Sequence, residues 1–185
     1  YRSATSINFT GDSEPKPYLS IERTTAEIDF PQFVVAGVSF RPNDLWNLEV
    51  NVDWTDWDAL NTLVFHKPSG DAPFPFNWRS SFMYEFGVTR QLSGGYFVSG
   101  GYFFSENSTS DRNFSPAVPD TDQHVFSLGV GHKGPHWSWA AAYQLITGPW
   151  RTVSQSESAS LIGQSANGEY RFFNNAFNAS VNYRF

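Results

Sequence analysis

The chain contains no cysteine. That excludes a disulfide framework and a thiolate metal site, and it suits a compartment where stray thiols oxidise. It also lacks any apolar run approaching the roughly 20 residues of a membrane helix, and its mean hydropathy is −0.39. No segment of useful length places apolar residues at helical spacing. There is no basic stripe: the formal net charge is −6, so nucleic acid is a poor partner. No glycine-rich phosphate loop is present. The first residues are Tyr1-Arg2-Ser3, with neither an initiating methionine nor a signal peptide, and the reading is of a mature-protein fragment that opens inside a strand. One class survives all these absences. A membrane β-barrel escapes hydropathy tests because every second residue faces a polar or mixed interior.

What is present fits that class. The 185 residues suit one domain, and aromatics make up 18% of them. The dominant period is two. Phe173, Asn175, Phe177, Ala179, Val181, Tyr183 and Phe185 share one face, backed by Phe172, Asn174, Ala176, Asn178, Ser180, Asn182 and Arg184. Successive strand side chains point to opposite sides, so this is an apolar face behind a polar one. Trp137, Trp139, Ala141, Tyr143 and Leu145 repeat the pattern, as do Trp46 to Trp54 and Phe82 to Val88. Strands are expected at 1–11, 23–41, 45–64, 76–91, 95–106, 122–133, 137–148 and 168–185. Pro31 marks a bulge or break in the second, and the alternation slips between Trp54 and Trp57, suggesting a bulge in the third.

The connections alternate in length. Short turns fall at Arg41 to Asp44, Ser93 to Gly95 and Lys133 to His136; long loops fall near 12–22, 65–75, 107–121 and 149–167. Bacterial outer-membrane barrels pair short periplasmic turns with longer extracellular loops. Phe185 then lies at the periplasmic end. A soluble sandwich or lipocalin-like barrel also alternates, but it hides its apolar face, whereas Trp46, Trp137 and Tyr183 at strand ends resemble interfacial girdles. The expected fold is therefore all-β, an antiparallel transmembrane β-barrel with about eight strands present, in the bacterial outer membrane and in contact with its lipids. Leu128, Val130, Trp139, Leu145, Phe177 and Val181 should face lipid across a band about 25 Å tall. Tyr183-Arg184-Phe185 resembles the C-terminal aromatic signal read by the outer-membrane barrel assembly machinery.

Catalytic and metal chemistry finds little support. His132 and His136 have helical metal spacing but straddle a turn. Asp111, Asp120 and Asp122 could hold calcium with loop carbonyls, but at no compact calcium-loop spacing. Ser127, His124 and Asp122 contain the elements of a hydrolase triad, yet near neighbours on one strand do not easily converge on one atom. No enzyme activity, metal or cofactor is expected.

Specific segments carry a resemblance. Phe114-Ser115-Pro116-Ala117-Val118-Pro119-Asp120-Thr121-Asp122 leads into His124 to Gly131. Ile28-Asp29-Phe30-Pro31 is followed by Gly37, Asp53-Trp54-Thr55-Asp56-Trp57 comes later, and Tyr1-Arg2-Ser3 precedes Phe9 and Gly11. Together and in this order they resemble the FadL/TodX family of outer-membrane transport proteins over nearly the whole chain. The resemblance implies a barrel of fourteen strands with an N-terminal hatch, of which this chain supplies about the last eight strands without the hatch. It also implies passive movement of long-chain fatty acids or other hydrophobic compounds. By register with the family, Val98, Gly100, Tyr102 and Phe104 face inward as an apolar ligand path, or pack against a hatch or loop. Arg2, Glu49, Asp53, Glu85 and Arg184 face inward as a lumenal polar network, either contacting ligand or anchoring the plug. The competing readings are a small structural or adhesive barrel closing with eight strands, and an outer-membrane enzyme. Strand order separates the first two: a closed eight-stranded barrel pairs 1–11 with 168–185.

Overall fold

The segments of period two fold as strands, and they stop where a residue cannot serve the ladder. The computed structural model describes residues 1–13, 21–116, 118–156 and 165–185; the expected loops at 12–22, 107–121 and 149–167 thus lie partly outside the described residues. The strands are β1 (Thr5–Ser13), β2 (Glu22–Phe30), β3 (Phe33–Asn43), β4 (Trp46–Thr55), β5 (Thr62–Phe65), β6 (Ala72–Pro75), β7 (Ser81–Gln91), β8 (Tyr96–Ser105), β9 (Gln123–Lys133), β10 (Trp137–Val153) and β11 (Gly168–Tyr183).

Two expected strands are split. The stretch 23–41 breaks between Phe30 and Phe33, because Pro31 has no N–H to give a ladder. Asp56 N donates instead to Gln32 O at 3.0 Å, and Gln32 Nε2 donates to Asp56 Oδ2 at 2.9 Å. The stretch 45–64 ends at Thr55. The slip near Trp57 is a full break into a short 3-10 turn at Trp57–Ala59, not a bulge. The stretch 65–75 contains the return strand β6, which pairs with β5. β10 continues past its expected end at 148, across a register shift between Thr147 and Trp150.

The strands form an antiparallel seven-stranded sheet in the order β11-β10-β9-β8-β7-β4-β3, with separate pairs β1-β2 and β5-β6. Backbone bridges from Arg2 to Phe33 and from Thr25 to His66 join the smaller pairs to the rest. β1 therefore neighbours β2 and the start of β3. Among the described residues it does not meet β11, and the eight-stranded closed barrel fails on strand order. The short turns have the expected chemistry: Gly94 and Gly95 take positive φ of 70° and 80° between β7 and β8, which costs glycine nothing.

The ladder sorts the side chains into two faces, since residues directly opposite in a pair project to the same side. Val38, Val50, Phe86 and Tyr102 stand in one row across β3, β4, β7 and β8, and Phe126 and Leu145 continue it on β9 and β10. Leu128, Tyr143 and Phe177 form the next row. The other face carries Asn47, Asn51, Glu85, Thr89, Ser99, Ser127, Ser138 and Asn178.

Exposure inverts the usual order. Leu128 is 69% exposed and Phe177 81%, whereas Val125 on the polar side of β9 is 1% exposed. Along β4, β7, β8 and β9 the apolar-face residues are the more open ones. A flat sheet would treat its faces alike. The difference means that the sheet curls around its polar face and turns the apolar one outward, as the wall of a membrane barrel does. Leu128, Val130, Trp139, Phe177 and Val181 are all exposed on that face; Leu145 shares it and is half-buried. Ten steps of β3, from Phe33 to Asn43, at roughly 3.3 Å each and a tilt of roughly 40° give a height near 25 Å, the thickness of the apolar band.

Candidate functional site

The candidate site is the sheltered polar face and the loop cluster at one of its ends. The band is bounded by outward aromatics. Trp137 packs on Tyr183 at 4.8 Å and Tyr183 on Phe185 at 5.2 Å at the short-turn end; Phe173 and Trp150 lie outward toward the other. Two pairs of polar groups on the apolar face bond each other. The Tyr143 hydroxyl donates to Asn175 Oδ1 at 2.5 Å, and the Tyr102 hydroxyl meets His124 Nδ1 at 2.8 Å. Lipid offers no partner, so such groups must satisfy each other.

One expected site changes sides. Val98 is opposite Val130, Gly100 opposite Leu128, Tyr102 opposite Phe126 and Phe104 opposite His124. All four therefore share the outward face with Leu128 and Val130 and cannot line a lumenal path while those face lipid. Register with the family put them inside, and β8 offers no check: Gly100-Gly101 puts small residues on both faces, so its alternation carries no side preference. The inward apolar residues of β8 are Phe97 and Phe103. Phe103 lies opposite Val125 and Glu85, in the row next to Met83.

The polar network is partly assembled. Glu49, Asp53 and Glu85 share the sheltered face. Asn47 Nδ2 donates to Glu49 Oε1 at 2.7 Å and Asn51 Nδ2 to Glu85 Oε2 at 3.1 Å. Asp53 Oδ1 is buried without a hydrogen-bond partner among the described residues. The two arginines stand apart. Arg2 lies at the Phe33 end with its guanidinium 5.9 Å from the Phe33 ring centroid, and Arg184 sits at the other end, where its N–H donates to His136 O at 2.9 Å. Neither makes an ion pair with the three acids, so the network consists of amides bonded to carboxylates rather than arginine clamps.

The loop cluster was not visible as a site in the sequence. Arg151, with a side chain only 12% exposed, contacts Asp111 Oδ1 at 2.9 Å. It also donates to Thr109 Oγ1, Thr109 O and Asp120 O and lies 4.9 Å from the Phe114 ring centroid. Phe114 packs with Val153, Ala166 and Tyr170 in a small buried core. Asp120 Oδ2 accepts the N–H groups of Ser108 and Thr109; Asp122 Oδ1 accepts Asn107 N and Nδ2. The P-D-x-D segment is thus a loop anchor. Asp111, Asp120 and Asp122 are engaged with protein donors, and among the described residues no group of three or more His, Asp and Glu is disposed to hold a metal. His124 and Ser127 project to opposite faces of β9, so they cannot act on one atom.

The segment around Thr109, Phe114 and Asp120 touches the end of β10 at Arg151 and Ser156 just beyond it, so they share one end of the sheet. Gly94 meets His132 at the opposite end, near Gly134 and Arg184. A family described as outer membrane protein transport protein (OMPP1/FadL/TodX) matches residues 1–185. No curated protein matches the chain. The crystal structure of a Pseudomonas aeruginosa FadL homologue is similar, with a TM-score of 0.69 at 19% identity, over 87% of this chain and 36% of that one. The likeness is one of fold, and the chain spans about a third of that structure's length.

Proposed function

We propose, from the premise that this chain belongs to the OMPP1/FadL/TodX family of outer-membrane transport proteins, that it forms part of the wall of a passive channel for hydrophobic compounds, long-chain fatty acids among them. The observation that supports this best is the inverted exposure of its two faces: Leu128 and Phe177 open, Val125 closed. A wall of this kind encloses a lumen once further strands complete it. Among the described residues its seven-stranded sheet ends at β11 and, apart from the bridge from Arg2 to Phe33, at β3, and open edges are costly in lipid.

No covalent step is needed. Ligand pockets for greasy molecules are mostly apolar with few polar groups. Phe103, Val125 and Met83, with Ile146 beside Val125, supply an apolar strip on the inner face, in place of the outward Val98, Gly100, Tyr102 and Phe104. Glu49, Asp53 and Glu85 border that strip. The test is uptake of a hydrocarbon such as toluene by cells carrying the complete barrel, against cells without it. Phe103→Asp is expected to lower uptake about fivefold at an unchanged amount of folded protein, since one buried carboxylate is poorly tolerated beside a greasy ligand. Uptake no better than in cells without the barrel would end the transport reading.

Tyr183 and Phe185 are assigned to biogenesis, as the aromatic end that the assembly machinery reads. Deleting Phe185 should lower the folded fraction in membranes, seen as loss of the heat-modifiable gel band, while molecules that fold still take up ligand. Normal folded levels would remove the assembly role.

A further inference from the structure

At the short-turn end of the inner face is a recess of about 580 Å³, bounded by Arg41 and Asn47 on one side and by Phe97 and Lys133 on the other, with Thr89 and Gln91 between. Its hydrogen bonding is unbalanced. Asn47 Oδ1 accepts from Ser39 Oγ at 2.7 Å and from Arg41 Nε at 3.2 Å, and Asn47 Nδ2 occupies Glu49 Oε1. Arg41 is thereby oriented through Nε, and among the described residues neither of its terminal nitrogens has a partner. Lys133 has its ammonium 5.6 Å from the Phe97 ring centroid and makes no ion pair or hydrogen bond with the described residues. Glu49 and Asp44 border the same recess, but neither comes within ion-pair distance of Arg41 or Lys133.

Phe97 adds an apolar platform. Its ring lies directly over Gly131 on the neighbouring strand, where a Cβ would come within 2.3 Å of Cζ, so only glycine admits the ring in this position. The recess therefore combines a fixed aromatic surface with two cationic heads that keep free donors. Guanidinium and ammonium groups bind carboxylates by charge-assisted hydrogen bonds, and the ring offers contact to the first methylenes behind such a head.

We infer that this recess is a head-group subsite for carboxylate-bearing amphiphiles, in which Arg41 and Lys133 hold the carboxylate and Phe97 holds the adjoining alkyl chain. An uncharged hydrocarbon gains only the platform. The subsite thus sorts ligands by head group at the end of the inner face away from the long loops. It rests on the channel reading and adds a specificity to it.

The test compares laurate with dodecanol, which share a chain and differ in head group, binding to the purified complete barrel in a non-ionic detergent. Wild type is expected to prefer laurate. Arg41→Gln with Lys133→Gln should weaken laurate binding about tenfold and leave dodecanol unchanged. Phe97→Ala, which removes the platform, should weaken both. An unchanged laurate preference in the double variant overturns the subsite, as does an equal loss for both ligands. Each variant is checked for its heat-modifiable gel band, and Arg41→Lys with Lys133→Arg, which keeps both charges, should retain the preference. Binding as expected without uptake in cells would instead overturn the channel reading alone.

Discussion

Leu128→Arg is expected to destabilise the folded barrel by about 2–4 kcal/mol, the cost of an arginine on the lipid face near the bilayer midplane. Leu128 is the middle residue of β9 and stands in a row with Gly100 and Tyr143 on its neighbours. No acid on that row is available to pair with a new charge. Ser127, one residue earlier, projects to the other face between Gly101 and Gln144. Ser127→Arg can extend into a polar lumen and should cost less than about 1 kcal/mol. At 1.4 kcal/mol per factor of ten, the first substitution shifts the folding equilibrium roughly thirtyfold to a thousandfold and the second less than tenfold. Urea unfolding in lipid vesicles measures both. If Leu128→Arg were silent, the apolar face would be meeting water, and the membrane orientation would fall. If Ser127→Arg were the more damaging, the two faces would have been exchanged.

That contrast also shows what the sequence could reveal. Strands with a large difference between their faces are legible: β4, β10 and β11 alternate tryptophan, valine or phenylalanine with asparagine or serine, and in the ladder those apolar residues share one face. β8 reads Tyr-Phe-Val-Ser-Gly-Gly-Tyr-Phe-Phe-Ser and gives the alternation nothing to hold. Its side is fixed only by what β7 and β9 present across the ladder, and that is tertiary information. The breaks were legible in place but not in extent. Pro31 announced one, yet a proline says only that a donor is missing. It takes Asp56, 24 residues away and bonded to Gln32, to turn the interruption into an end of one strand and the start of another.

The candidate site follows the same division. Glu49, Asp53 and Glu85 are grouped by register with the family, and in the ladder they share a face. Arg2 and Arg184 belong with them by the same register, but the topology puts those two at opposite ends of the sheet. The loop cluster was missed because its parts come from 107–122, 149–156 and 166–170, segments with no shared period. The one usable signal was the P-D-x-D run, in which two short acids precede a strand and can accept backbone N–H groups.

Arg151 holds those segments together, so its loss should act on the loops rather than on the wall. Its guanidinium serves Thr109 O, Thr109 Oγ1, Asp120 O and Asp111 Oδ1 and stacks on Phe114. Arg151→Ala leaves two carbonyls and a carboxylate without their donor. Bonds to a charged group contribute about 1.5–3 kcal/mol. The Asp111 arm must be discounted, because that carboxylate is 55% exposed and water screens the pair. A cost of about 2–4 kcal/mol to loop closure is expected, with local opening increased roughly thirtyfold to a thousandfold. Arg151 takes its place in the ladder opposite Tyr170 through its backbone, which alanine keeps, so the heat-modifiable gel band should persist. Protease added to whole cells should then cut between 107 and 122 much faster than in wild type, because cleavage follows the population of the open form. Arg151→Lys keeps the charge but not the planar fork, and should fall between the two. Equal cleavage rates in wild type and Arg151→Ala would mean that Phe114 and its buried neighbours close the loops unaided. Cleavage at Gly94 or Gly134 instead would place the short turns, and not these loops, on the outside of the cell.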